Sequence, residues 1–154
     1  MISNATPLIS LARINELTLL QKMFEKIVIT GAVKTEILVE GKPGFFALKE
    51  LEKTFLHVKE PKKLLPLDLG SGENAAISLA YETKDTLLID DAVAIQRAHE
   101  LGIETLRTTT VIFLAVQKGL LHKGKALDML NLLIENGYYI TTAQYAKLLE
   151  KLKK

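Results

Sequence analysis

The stretch Leu87-Leu88-Ile89-Asp90-Asp91, followed by the helical run Ala92 to Leu101, decides the fold of this chain. A short apolar run that ends in carboxylates and leads directly into a helix is typical of a buried parallel strand. The first residues repeat the pattern with one change, because Met1-Ile2-Ser3 ends in Asn4 before the next helix. Open α/β sheets bind ligands at the C-terminal ends of their strands. The pattern therefore predicts a site at that edge of a parallel sheet.

Strand-like and helical patterns alternate along the chain, which predicts an α/β fold with a central, mainly parallel sheet. The predicted strands are Ile2–Asn4, Lys26–Ile29, Phe55–Lys59, Thr86–Asp90 and Ile103–Leu106. We expect a three-layer α/β/α arrangement with the strand order 3-2-1-4-5. In that order strands one and four are neighbours, so Asn4 would come beside Asp90.

The helices have recognisable starts. Thr6 is a candidate N-cap with Pro7 at the first helical position, and Thr30 and Ser71 are candidate N-caps for the helices that follow them. The last third of the chain is predicted to be helical over Thr109–Lys118, Lys123–Asn136 and Thr142–Lys153, with a short strand or turn at Tyr138-Tyr139-Ile140. The Pro- and Gly-containing stretch from Val58 to Gly72 is predicted to be a loop.

Composition limits the class of protein. At 154 residues, with 48% apolar residues, the chain is expected to form one domain, residues 1–154, with a sizeable core. No apolar run approaches the ~20 residues of a membrane span, and no signal peptide is evident. The absence of cysteine excludes disulfides and thiolate metal sites and favours a cytoplasmic location. A net charge of +2 permits nucleic acid as a partner without indicating it.

Several oxygen-bearing side chains are candidates for one site at the strand ends. They are Asn4, Glu36, Glu73, Asp90 and Asp91. Mg²⁺ and Mn²⁺ prefer hard oxygen ligands, usually one or two carboxylates together with water. A cation held there could activate water and neutralise charge during phosphodiester cleavage. The set therefore indicates a divalent-metal site.

Each of these residues also has a purely structural interpretation. Glu73 in a first helical turn would interact favourably with the helix dipole, and Glu36 could be an ordinary exposed helix residue. One residue of the Asp90-Asp91 pair could be the N-cap of the next helix. Asn4 could be a turn residue whose side chain bonds nearby backbone. Taken singly, no residue decides between the two interpretations.

The order of these segments resembles the PIN domain, the fold of VapC-type toxin ribonucleases. The landmarks are Ser3-Asn4-Ala5-Thr6-Pro7-Leu8-Ile9, Val33-Lys34-Thr35-Glu36-Ile37, Leu69-Gly70-Ser71-Gly72-Glu73-Asn74-Ala75-Ala76-Ile77, Leu87-Leu88-Ile89-Asp90-Asp91, and Thr108 ahead of a helix that ends in Lys118-Gly119-Leu120. The resemblance covers nearly the whole chain. It is greatest to a prokaryotic subfamily with a Gly-rich turn before the middle Glu and a Thr before the next helix.

This resemblance implies a nuclease that binds one or two Mg²⁺ or Mn²⁺ ions and hydrolyses single-stranded or structured RNA. The implied metal ligands are Glu36, Glu73 and one of Asp90 or Asp91, with Thr108 assisting. Asn4 stands where the family has its first Asp, and its amide oxygen could orient a ligand water. The resemblance also implies a toxin-like role under the control of a small antitoxin protein.

Three points remain open. The uncharged Asn4 favours a catalytically degenerate PIN fold that binds RNA or protein. Leucines of the C-terminal helices could instead form the face of a homodimer or simply cover the sheet; they are Leu127, Leu130, Leu133, Leu148, Leu149 and Leu152. Basic residues could line an RNA path or be dispersed solvated charge; they are Arg13, Arg97, Arg107, Lys34, Lys118, Lys123 and Lys125.

Overall fold

The computed structural model describes all 154 residues and has an α/β fold whose five-stranded sheet is parallel throughout. The strands are β1 (Ile2–Ser3), β2 (Ile27–Ile29), β3 (Leu56–Val58), β4 (Leu87–Leu88) and β5 (Thr105–Leu106). Their order is β3-β2-β1-β4-β5, which confirms the predicted order. Each strand is one to three residues shorter than predicted: β1 at its end, β2 and β5 at their starts, and β3 and β4 at both ends.

Helices connect and flank the strands. They are α1 (Ala5–Arg13), α2 (Thr18–Met23), α3 (Gly31–Ile37), α4 (Phe45–Thr54), α5 (Ser71–Thr83), α6 (Ala92–Glu100), α7 (Thr108–Gln117), α8 (Lys123–Glu135) and α9 (Thr142–Lys153). None of them combines the length and the apolar character that crossing a membrane requires. Of the strand or turn predicted at residues 138–140, the strand is not found, and a turn lies just before them at residues 136–137.

The helix starts agree with the sequence at one position and differ at two. Thr30 is the N-cap of α3, and its hydroxyl accepts a hydrogen bond from Val33 N, as predicted. The predicted caps Thr6 and Ser71 are wrong, because both residues already lie inside their helices. Asn4 and Gly70 take the extended N-cap conformation instead, and neither cap makes a side-chain hydrogen bond. The chain therefore turns into α1 immediately after β1.

The core lies around the central strands. Ile2, Leu87, Leu88 and Ile89 are at most 1% exposed, which agrees with a strand pair covered on both faces. The residues predicted to form the buried side of α5 are buried; they are Ala75, Ala76, Ile77, Leu79 and Ala80. Among the C-terminal leucines, Leu130, Leu133 and Leu152 are buried and the other three are half-buried within this one chain. A homodimer stays a prediction that sedimentation would test.

The register of the central strands places two polar ends side by side. Ser3 pairs with Leu88, and Asn4 N donates a hydrogen bond of 2.9 Å to the carbonyl oxygen of Leu88. Ile89 N likewise donates to Leu106 O in β5 at 2.9 Å. Asn4 and Asp90 therefore follow neighbouring strands at the same edge of the sheet. This edge carries the candidate site.

Candidate functional site

Asp90 is held by hydrogen bonds on both of its carboxylate oxygens. Thr108 N donates to Oδ1 at 2.9 Å and the Thr108 hydroxyl donates to Oδ2 at 2.7 Å. The hydroxyl of Tyr138 donates to Oδ1 at 2.5 Å. Thr108 is fully buried and is the first residue of α7, so the N-terminus of that helix faces the negative charge. Asp90 itself is half-buried, with one lone pair on Oδ2 still free for a ligand.

Asp91 has a different role from its neighbour. Its backbone is extended, it is the N-cap of α6, and its Oδ2 accepts a hydrogen bond from Ala94 N at 2.9 Å. This is the geometry of an ordinary capping aspartate. The structure thus separates the pair, with Asp91 beginning α6 and Asp90 facing α7. Asp90 is the better candidate for a metal ligand.

Glu36 and Glu73 form a second group, where α3 packs against α5. The pKa of Glu36 is raised above its usual value by partial burial, and further by the negative charge of Glu73, while a hydrogen bond from the backbone of Gly72 lowers it. A Cβ atom placed on Gly72 would overlap Glu36 Oε1, and one on Gly70 would lie 2.7 Å from Glu73 Oε2. The two glycines therefore leave room for both carboxylates.

The loop before α5 is tied to that helix and so fixes the start of α5. Leu65 N donates to the hydroxyl of Ser78 at 2.9 Å, and this hydroxyl donates to Asn74 Oδ1 at 3.1 Å. Asn74 Nδ2 in turn reaches Leu67 O at 3.5 Å. Since Asn74 directly follows Glu73, these bonds position the first turn of α5 and its carboxylate.

Asn4 contributes an unusual polar atom. The residue is 3% exposed, and its Oδ1 is buried without a hydrogen-bond partner. The structural interpretation of Asn4, a side chain bonded to nearby backbone, is not observed for this oxygen. Most buried polar atoms have a partner, so this oxygen is free to accept a hydrogen bond from a ligand water or to contact a cation.

The candidate residues fall into two groups with Asn4 as a separate member. Glu36 lies with Glu73, and Asp90 lies with Thr108, but no group of three or more His, Asp or Glu residues is close enough to hold a metal ion. Two clefts lead to the two groups. The Glu36 cleft has a volume of ~120 Å³, and the cleft beside Asp90, here called the Asp90 cleft, has a volume of ~670 Å³. Ile9 and Arg13 of α1 line both clefts.

The basic residues predicted to line an RNA path are not equivalent. Lys34, Arg97 and Lys125 form ion pairs with Glu52, Glu100 and Glu16. Arg13 and Arg107 line the Asp90 cleft and make no ion pair. Their guanidinium groups donate only to backbone carbonyls, of Asn136 at 3.3 Å and of Asp90 at 3.0 Å. The two arginines therefore lie without an ion-pair partner in a cleft that Asp90 and Asp91 also line.

Two residues that shape the candidate site were not identified from the sequence. Tyr138 contacts Asp90 from 48 residues away, and no local pattern signals a contact of that range. Gly72 provides space for the Glu36 carboxylate, and the sequence does contain an indication of this role. A glycine in the first turn of a helix is unfavourable relative to Ala, which favours a packing role.

The donor set fits a hard divalent cation. Every candidate donor is oxygen, two carboxylates share one location, and a third candidate oxygen is buried without a partner. A cation would relieve the repulsion between Glu36 and Glu73, which otherwise contributes to the raised pKa of Glu36. Glu36 and Glu73 are thus the first residues to consider as ligands, followed by Asp90 and the amide oxygen of Asn4.

Comparison with known proteins identifies a matching family model and a similar solved structure. A family model described as DUF3368, a PIN domain, matches residues 1–154. Among solved structures, a PilT N-terminus domain protein, SSO1118, from the hyperthermophilic archaeon Sulfolobus solfataricus P2 is similar, with 21% sequence identity and a TM-score of 0.48. The similar region covers 72% of this chain and 90% of that chain. No curated protein matches the chain.

Proposed function

Because this chain belongs to the PIN-domain family, we propose that it is a metal-dependent ribonuclease that hydrolyses phosphodiester bonds of RNA. PIN domains in general depend on divalent metal ions, and Mg²⁺ or Mn²⁺ is the expected cation here. The observation that carries the proposal is the Glu36–Glu73 pair, in which the pKa of Glu36 is raised by burial and by the neighbouring carboxylate. Two neighbouring carboxylates beside the strand ends repel each other and destabilise the folded chain unless a cation binds them.

Each residue of the candidate site would have its own role. Glu36 and Glu73 would hold the ion, with Asn4 orienting a water ligand; Asp90 lies in a separate group and would join them as a ligand when the two groups close around the cation. When bound, Mg²⁺ or Mn²⁺ would lower the pKa of a water molecule and offset the charge of the phosphate. Thr108 keeps the Asp90 carboxylate in one orientation through two hydrogen bonds. Arg13 and Arg107, which lack ion-pair partners, would contact the RNA backbone.

The direct test is cleavage of a fluorescent single-stranded RNA by purified protein in Mn²⁺ and in EDTA. We expect cleavage in Mn²⁺ and none in EDTA. The cleavage rate in Mn²⁺ should fall ~100-fold or more in Asp90→Asn, because a neutral amide replaces a charged ligand. Asp128→Asn is the matched control, since Asp128 is an exposed residue of α8 away from the candidate groups. Equal activity of Asp90→Asn and Asp128→Asn would contradict the assignment.

We also propose a toxin-like role under the control of a small antitoxin, in the cytoplasm. Induced expression of the chain alone would then arrest growth, and expression of Asp90→Asn at the same level would not. Growth arrest by both proteins would show that the effect does not depend on the site.

A second candidate function is a degenerate PIN fold that binds RNA or protein without cleavage. The specific observation in its favour is Asn4, a neutral residue at the end of β1. This function predicts that the wild-type chain binds RNA equally in EDTA and in Mn²⁺ and does not cleave it, whereas Asn4→Asp gains Mn²⁺ binding. Mn²⁺-dependent cleavage by the wild type would exclude it.

A further inference from the structure

Hydrogen bonds occupy most of the acceptor capacity of the Asp90 carboxylate. A carboxylate has about four lone-pair sites, which its two oxygens share equally. Oδ1 accepts from Thr108 N at 2.9 Å and from the hydroxyl of Tyr138 at 2.5 Å, so both of its sites are taken. Oδ2 accepts from the Thr108 hydroxyl alone, at 2.7 Å. Asp90 can therefore offer a cation one oxygen, Oδ2, without breaking a hydrogen bond.

Tyr138 is held in the position from which it bonds Asp90. It is 8% exposed, and its ring belongs to the hydrophobic core. Its backbone N donates to Leu133 O at 2.9 Å, and the left-handed Gly137 (φ 94°) turns the chain out of α8 just before it. Loss of the bond to Asp90 would leave a largely buried hydroxyl without this acceptor, which is unfavourable. The hydroxyl is thus a fixed occupant of Oδ1.

Divalent cations differ in what they require of a carboxylate. Mg²⁺ demands a near-ideal octahedron and keeps several waters, so one oxygen from each carboxylate is sufficient. Ca²⁺ is larger, accepts more oxygen ligands in a flexible geometry, and can bind both oxygens of one carboxylate. Binding of that kind at Asp90 would need Oδ1 and would displace Tyr138 or Thr108. Displacing a buried donor lowers affinity by about tenfold.

We propose that Tyr138 is a positioning residue that selects the cation: by occupying Oδ1 of Asp90, it limits this carboxylate to one ligand oxygen and favours Mg²⁺ or Mn²⁺ over Ca²⁺. The proposal rests on the proposed function, in which Asp90 joins the ligands of the ion, and it adds a residue and a selectivity to that function. A purely structural role of Tyr138 would affect all these cations alike. The ratio of their affinities therefore distinguishes the two roles.

The test measures cation binding in the absence of RNA. Mn²⁺ bound to the protein is counted by electron paramagnetic resonance, and Mg²⁺ and Ca²⁺ are titrated in as competitors to give a Kd for each ion. Tyr138→Phe removes the hydroxyl and keeps the ring. Tyr145→Phe is the matched control, because its hydroxyl donates at 2.8 Å to the neutral Asn131 Oδ1 and neither residue lines the Asp90 cleft. Circular dichroism verifies that each variant is folded at the assay temperature.

The wild type should bind Ca²⁺ with a Kd about tenfold or more above its Kd for Mg²⁺, because Ca²⁺ would have to displace a donor. Tyr138→Phe should raise the Kd for Mg²⁺ about tenfold, since the ligand carboxylate loses a hydrogen bond that supports it. The Kd for Ca²⁺ should not rise, because the freed lone pair on Oδ1 becomes available to that ion. The ratio of the Ca²⁺ Kd to the Mg²⁺ Kd should thus fall about tenfold in this variant and stay at the wild-type value in Tyr145→Phe.

A wild type that binds Ca²⁺ as tightly as Mg²⁺ would overturn the proposal even if Tyr138→Phe did not fold. A ratio that is the same in Tyr138→Phe and in wild type would also overturn it and would assign Tyr138 a structural role. If that result came with Mn²⁺ binding and RNA cleavage by the wild type, the proposed function would stand and the selectivity alone would be rejected. A wild type that does not bind Mn²⁺ would reject both.

Discussion

The hydroxyl of Tyr138 donates a hydrogen bond of 2.5 Å to Asp90 Oδ1, joining the connection between α8 and α9 to the end of β4. Burial of the phenol, with the negative charge of Asp90, raises the pKa of Tyr138, so this group stays a protonated donor at neutral pH. With the two bonds from Thr108, three donors fix one carboxylate. The C-terminal part of the chain therefore takes part in building the candidate site.

Tyr138→Phe should lower the free energy of unfolding by about 1.5–3 kcal/mol, since it removes a hydrogen bond to a charged acceptor. Urea denaturation measures this change. Tyr145→Phe is the matched control, because its hydroxyl donates at 2.8 Å to the neutral Asn131 Oδ1 and should cost about 0.5–1 kcal/mol. A smaller loss in Tyr138→Phe than in Tyr145→Phe would contradict the account of Asp90.

Glu36→Gln should change how stability depends on pH. Because the pKa of Glu36 is raised in the folded state, the folded chain binds more protons than the unfolded one above the usual value of 4.5. Stability should therefore fall as pH rises from 4.5 through the raised pKa, and Glu36→Gln should remove this part of the decline. At pH 7 in EDTA the variant should melt ~1–2 °C higher, the shift expected for ~0.5 kcal/mol from an exposed charge pair.

Thermal melts of wild type and Glu36→Gln at pH 4.5 and pH 7 check this expectation. Mn²⁺ should raise the melting temperature of the wild type at pH 7 and have a smaller effect on the variant. A variant that melts lower than wild type at pH 7 in EDTA would show that the Glu36 carboxylate stabilises the metal-free fold.

Gly72→Ala should weaken Mn²⁺ binding while preserving the fold. The added Cβ would overlap Glu36 Oε1, so the Glu36 carboxylate must leave its present position. We expect a loss of about tenfold in Mn²⁺ affinity, in the range seen when support for a metal ligand is removed. Gly124→Ala in α8 is the control, since nothing lies within 4 Å of its added methyl group. It should leave affinity unchanged and stabilise the helix by about 0.5–1 kcal/mol.

Asp90→Ala and Asp91→Ala should separate the two roles of the acidic pair. Asp91→Ala removes the N-cap of α6 and should cost about 1 kcal/mol of stability, with Mn²⁺ affinity within about twofold of wild type. Asp90→Ala should instead abolish RNA cleavage. The opposite pattern, with cleavage lost only in Asp91→Ala, would assign the ligand to the capping residue.

Much of the fold was predictable because it depends on local patterns. The apolar runs that end at Asn4 and Asp90 predicted parallel strands. The predicted bounds of α9, Thr142–Lys153, are those of the structure. The short helices α2 and α4 were missed. In α4 the exposed Phe46, which is 84% accessible, breaks the polar face that would mark an amphipathic helix.

The candidate site was less predictable because its geometry depends on tertiary contacts. The sequence pattern identified Asp90 and Asp91 as a pair. Only the structure shows that Asp91 is the N-cap of α6 and that Asp90 accepts hydrogen bonds from Thr108. Similarly, the packing of α3 on α5 brings Glu36 to Glu73, and this contact has no local signature. Sequence reasoning could select the residue types and the sheet edge but not the partner of each side chain.

The most direct test of the central claim is a calorimetric titration of Mn²⁺ into the wild-type chain and into Glu36→Gln/Glu73→Gln, with RNA cleavage measured on the same samples. If these carboxylates hold the catalytic ion, the wild type should bind Mn²⁺ with a Kd in the micromolar range, about −8 kcal/mol, and cleave single-stranded RNA. The double variant should lose both properties. Equal Mn²⁺ binding by the two proteins, or cleavage by the double variant at the wild-type rate, would contradict the claim.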